Sequence, residues 1–166
     1  MFFKKFILIF LSLLIIVLPS CGKGKLSADE LGYKLLNLYP VLPPCSQYVK
    51  NAEEYSSCYI SPEDFSFLYM GTKEKLPEWE LIDEFRIILS NSTEFFEIHI
   101  IKTNNASDAD EIAKLLSRRQ RLLELFIKEE GDYTAKAAEL VIRGKYVILL
   151  ATDDNESAKI LLKKLL

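Results

Sequence analysis

The stretch EFRIILSNSTEFFEIHII, residues 84–101, sets a hydrophobic period of two. Phe85, Ile87 and Leu89 alternate with Glu84, Arg86 and Ile88. Beyond Asn91-Ser92-Thr93, Phe96, Ile98 and Ile100 alternate with Phe95, Glu97, His99 and Ile101. Alternation places successive side chains on opposite faces of a strand, and Asn-Ser-Thr is turn chemistry, so the stretch predicts a β-hairpin. Beyond residue 106 the period becomes helical, and a sheet gives the apolar stripe of such a helix something to cover.

Downstream, Ser107 is placed to cap a long helix, with Asp108, Asp110 and Glu111 at its positive end. Ile112, Leu115, Leu116, Leu122, Leu123, Phe126 and Ile127 form its stripe, and Gly131 ends it. A shorter helix is expected through Ala135 to Ile142, stopping at Gly144. Tyr146 to Ala151 then reads as a strand apolar on both faces, and Asp153-x-x-Glu156 opens a terminal helix carrying Ile160, Leu161 and Leu165. Upstream, Ser27-x-x-Glu30 is a capping box followed by Leu31, Leu35 and Leu38 until Pro40. Residues 40–82 are broken by prolines, with Phe65 to Met70 a short ordered piece. The expectation is one α+β domain over residues 27–166: a small, mainly antiparallel sheet, hairpin plus C-terminal strand, packed with three to four helices.

The 166 residues are 49% apolar and 27% charged, the make-up of a folded chain. With 21 basic against 24 acidic side chains there is no basic surplus of the kind a phosphate backbone requires, so nucleic acid is excluded as the expected partner. The first 20 residues are an address. Lys4 and Lys5 precede Phe6 to Leu18, a charge-free run of 13 residues, which suits a signal-peptide core and falls short of the roughly 20 a spanning helix needs. Leu18-Pro19-Ser20-Cys21 resembles the lipobox of bacterial lipoproteins, in which the cysteine receives a diacylglyceryl group and becomes the mature N-terminus. Pro19 departs from the small residue usual there; an uncleaved anchor or an ordinary secretory signal is the alternative. Removal of residues 1–20 leaves 19 basic and 24 acidic side chains, a formal charge of −5. Residues 21–26 are then a short membrane-proximal tether of about 17 Å reach, with Lys23 and Lys25 among anionic head groups.

With Cys21 assigned to lipid, Cys45 and Cys58 face an oxidising space and are expected to pair across a Pro-rich loop; two free thiols are the alternative. Six tyrosines fall between Tyr33 and Tyr69, and Tyr48, Tyr55, Tyr59 and Tyr69 are the candidate binding face, against the plainer reading of packing beneath loops. Arg119 falls in the middle of the long helix's stripe, where an unpaired charge is costly, so it needs a partner. It either grips an anion or carboxylate inside a cleft, or lies along the sheet edge with its head in water or on a structural acid. Glu97 and His99 share a strand face and are the smallest acid–base set in the chain, the candidate catalytic pair if there is one. No nucleophile elbow, His-Glu-x-x-His, phosphate loop or calcium loop accompanies them, and no metal or cofactor is expected.

Cys21, the strand Glu97 to Lys102, Leu115 to Gln120 with its arginines, and Leu140 to Leu149 with Gly144-Lys145-Tyr146-Val147 are similar to the clostridial lipoprotein family called domain of unknown function 4358. That resemblance implies a lipid-anchored protein on the extracytoplasmic face of a bacterial membrane, and no activity or cofactor. The expected function is a non-catalytic module binding an envelope protein, peptide or wall ligand near the membrane. The alternative is a small envelope hydrolase using Glu97, His99 and Arg119.

Overall fold

A computed structural model describes residues 26–92, 96–130 and 137–166, apart from the side chains of 127–130. Cys21, Lys23, Lys25, Thr93, Phe95 and Gly131, with the start of the short helix expected from Ala135, lie outside those residues. The chain begins with α1 (Ala28–Leu36), whose capping box is formed as its sequence predicts: Glu30 N–H donates to Ser27 Oγ at 3.0 Å and Ser27 N–H to Glu30 Oε2 at 2.8 Å. After β1 (Cys45–Val49) comes α2 (Pro62–Met70), capped by Ser61 and closed by Gly71 at φ 70°. The hairpin is β2 (Ile82–Ser90) and β3 (Glu97–Thr103), in register Leu89 to Glu97 and Ile87 to His99. The remaining elements are α3 (Ala109–Glu130), β4 (Glu139–Arg143), β5 (Tyr146–Ala151) and α4 (Asn155–Leu165).

The five strands form one antiparallel sheet in the order β1-β2-β3-β5-β4. Helices cover both faces. On one, Phe65 and Tyr69 of α2 and Ile112, Leu115, Leu116 and Leu123 of α3 pack on Phe85, Ile87, Ile101, Val147 and Leu149. On the other, Leu31 and Leu35 of α1 and Ala158 and Leu162 of α4 pack on Ile88, Ile98, Ile100, Ile148 and Leu150. The inner strands therefore bury both faces, which is why β5 shows no polar alternation. This is the α+β fold expected.

Three local expectations are corrected. Residues 139–142 are strand, not helix: β4 forms a hairpin with β5, Arg143 opposite Tyr146, across the two-residue turn Gly144-Lys145. Gly144 sits at φ 58°, a left-handed geometry that suits a hairpin turn as well as a helix end. Ser107 does not cap the long helix; it lies in a 3-10 turn at Ala106–Asp108 capped by Asn105, and α3 starts at Ala109. At the terminal helix Asp154, not Asp153, is the cap, accepting from Ser157 N–H at 3.1 Å. The stripe of α3 is buried only as far as Leu123, while Leu122 and Phe126 are exposed. A helix of 22 residues is about 33 Å long and strands of 6 or 7 residues about 20–23 Å, so its last turns pass beyond the sheet.

Candidate functional site

The charge in the stripe of α3 has found its partner across the sheet interface. Glu97 and His99, two apart on β3, point toward α2 and α3. Arg119 Nε donates to Glu97 Oε2 at 3.0 Å and Nη2 to Oε1 at 2.5 Å, a bidentate grip. His99 Nε2 stands 3.0 Å from the same Oε2, and its Nδ1 is 2.6 Å from the hydroxyl of Tyr69 on α2. The four side chains make one line, Tyr69–His99–Glu97–Arg119.

Burial and charge set the protonation of that line. Burial pushes the Glu97 carboxyl up, but hydrogen bonds from His99 and Arg119 and the guanidinium's charge outweigh it and hold the group at about 2. Burial pushes His99 down and Glu97 only partly opposes it, so the imidazole is neutral at pH 7. Burial raises Tyr69 well above its ordinary value. Burial alone would lower Arg119, but Glu97 raises it. An ionised Glu97 accepts from Nε2–H, which leaves Nδ1 as acceptor for the Tyr69 O–H. The Tyr69 hydroxyl, both ring nitrogens of His99 and both carboxylate oxygens of Glu97 have partners, and the net charge of the line is zero.

A carboxylate orienting an imidazole that faces a hydroxyl is relay chemistry in outline. Here the hydroxyl at its end is 1% exposed, and His99 is wholly buried between Tyr69, whose ring packs edge-on at 5.5 Å, and the sheet. No group on the line meets solvent where a substrate could approach the hydroxyl. The arrangement can hold α2 and α3 on the sheet; it offers no nucleophile.

The structure thus unites Glu97, His99 and Arg119 and adds Tyr69 to them from the tyrosine cluster. That takes Tyr69 out of the candidate binding face. Of the four candidates, Tyr69 is core, Tyr48 packs against the same core, Tyr59 is half-buried and Tyr55, at 98%, stands in solvent; Tyr33, elsewhere in the cluster, is exposed as well. Cys45 and Cys58 are free, which corrects the expected bridge. Cys58 O accepts from Val49 N–H at 3.0 Å, at the far end of β1 from Cys45, and four strand residues span about 13 Å, beyond disulfide reach.

A second buried arginine escaped the sequence reading. Arg86 on β2 faces α1 and reaches Asp29 and Gln47 through its two terminal nitrogens, with its guanidinium 4.3 Å over the ring of Tyr33. Alternation alone reads Arg86 as outward, because nothing local says that α1 will cover that face. Among the described residues no group of three or more His, Cys, Asp or Glu could hold a metal ion, and no helix is long and apolar enough to cross a membrane. No protein-family model, curated protein or solved structure matches the chain.

Proposed function

We propose that the mature chain is a lipid-anchored, extracytoplasmic lipoprotein that works by binding near the membrane and not by turnover. One observation supports the non-catalytic half: the acid–base pair is buried in the core, with His99 unreachable by solvent and both its ring nitrogens hydrogen-bonded within the protein. The anchored half rests on the leader and Cys21, and on the resemblance of the sequence to the clostridial lipoproteins. An envelope protein, peptide or wall ligand is the partner this reading calls for, with Tyr55, and the half-buried Tyr48 and Tyr59 near it in sequence, as the remaining candidate contacts.

Detergent partitioning with mass analysis tests the anchor. Cys21→Ala should lose the lipid mass and leave the detergent phase, and retention of both would end the lipoprotein reading. Turnover is tested separately with Tyr69→Phe and His99→Gln variants that still melt cooperatively. These should keep the wild-type phenotype in cells, and loss of phenotype in a folded variant would turn the case to an envelope enzyme.

A further inference from the structure

The carbonyl of Leu26 accepts a hydrogen bond from the hydroxyl of Tyr146, so the chain enters the fold beside the β4–β5 turn. Leu26 also packs into the core under α1 and α4. The stretch from Cys21 to Leu26 spans at most about 17 Å. A lipid on Cys21 therefore holds this end of the sheet toward the bilayer. The strands and helices that end there are fixed by the topology: β4 arrives at Arg143, opposite Tyr146, and α4 returns from the far end of β5 to finish here with Lys163 and Lys164.

Between edge strand β4 and α4 lies a groove of about 370 Å³, lined by Ile142, Arg143, Ile160 and Lys163 among others. Ile142 and Ile160 are 44% and 56% exposed. Lys159 at its wall is paired with Glu139 and Glu156. Arg143, Lys163 and Lys164 have no carboxylate within 4.0 Å among the described residues. The acids nearest the chain entry are engaged instead: Glu30 in the capping box, Glu84 with Ala28 N–H and Lys102, Asp83 with Lys102, and Asp29 with Arg86. The charged side chains at the groove that have no counter-charge beside them, Arg143, Lys163 and Lys164, are thus all basic, on a chain whose total is negative.

We infer that the β4–α4 groove is a docking surface for the anionic bilayer that carries the anchor, with Arg143 and Lys163 on lipid phosphates and Ile142 and Ile160 dipping into the head-group layer. The inference rests on the lipoprotein reading for the direction the groove faces. Charge complementarity and the short tether select a membrane over an acidic peptide. A net-acidic protein is repelled by anionic vesicles unless such a patch is presented to them, so adsorption reports on the patch.

The test uses the unlipidated mature chain, residues 22–166, which contains both cores and every strand, and whose folding is verified by a cooperative melt. It is sedimented with phosphatidylcholine vesicles with and without phosphatidylglycerol. Binding is expected only with phosphatidylglycerol, falling about tenfold or more for Arg143→Gln combined with Lys163→Gln, since each basic group contributes on the order of a fivefold preference. The charge-matched pair Lys34→Gln with Arg121→Gln, away from the groove, should bind as wild type. Ile142→Ser with Ile160→Ser should weaken binding with the salt dependence unchanged. No binding to anionic vesicles, or equal losses for the two charge pairs, would overturn the proposal. Capture of a polyglutamate peptide by a chain that ignores vesicles would overturn it too, and would make the occupant an acidic peptide. Because no lipid is attached, failure here is separate from failure of the Cys21 test.

Discussion

Arg119 and Glu97 show how little room a buried charge has to be neutral in its effect. Each is costly alone and acceptable to the core only through the other, because two hydrogen bonds and a full opposite charge replace the lost water. Arg119→Ala should therefore destabilise the fold by about 2–4 kcal/mol, read as a shift in urea midpoint, and a variant as stable as wild type would mean the pair is solvated. Adding Glu97→Gln to Arg119→Ala should cost less than the two single changes together, since the second removal takes away a charge already stranded. The same groups fix the pH response. Glu97 ordinarily titrates at 4.5 and in the fold at about 2, so below pH 4.5 the unfolded chain binds a proton that the fold refuses, and stability falls as pH drops toward 2. His99 acts in the same sense from its ordinary 6.5 downward, because its folded value is also depressed. Tyr69, raised in the fold, brings the opposite loss above pH 10. Urea melts should be flat from pH 7 to 9 and weaken steadily from 6.5 to 3, and a double variant Glu97→Gln with His99→Gln should flatten the acid side.

Between elements, the packing of α1 on β2 turns on one absent side chain. A Cβ on Gly32 would lie 2.3 Å from Arg86 Cδ, and Arg86 cannot swing aside without leaving Asp29 and Gln47. Gly32→Ala should cost about 1–3 kcal/mol even though alanine is the better helix former, and thermal melts alongside Gly32→Ala with Arg86→Met should show part of that loss recovered. Elements whose period is long were legible: the hairpin from Phe85, Ile87 and Leu89, and the long helix from its stripe, which also marked Arg119 as a charge in need of a partner without saying which. Elements that depend on a distant partner were not. Residues 139–143 are too short for period to separate strand from helix, and only pairing with β5 decides it. Tyr69 comes to His99 on α2, which opens at Ser61-Pro62 inside the proline-broken segment, where no period is there to be read. Arg86 reads as solvated until α1 is laid over it.

For the molecule as a whole, the central strand receives its two neighbours at very different times. β2 joins β3 through a local turn, whereas His99 meets Leu149 only after the long excursion through α3 and β4. Synthesis delivers the chain from its N-terminus, so a nascent chain that stops at residue 138 presents β3 with one bare edge and Ile98 and Ile100 without Leu162 above them. Such an edge is a template for pairing with another chain, and non-local closure is slow. A product truncated after residue 138 should aggregate and show no cooperative melt, as light scattering and circular dichroism would register. A separate peptide of residues 139–166 should suppress that aggregation by supplying the missing edge and helix. Soluble, monomeric behaviour of the truncated chain would place the folding nucleus wholly before residue 139. The position of β5 beside β3 thus works as a proofreading of length: the sheet closes only for chains that have been made as far as β5, and its second face is covered only once α4 follows.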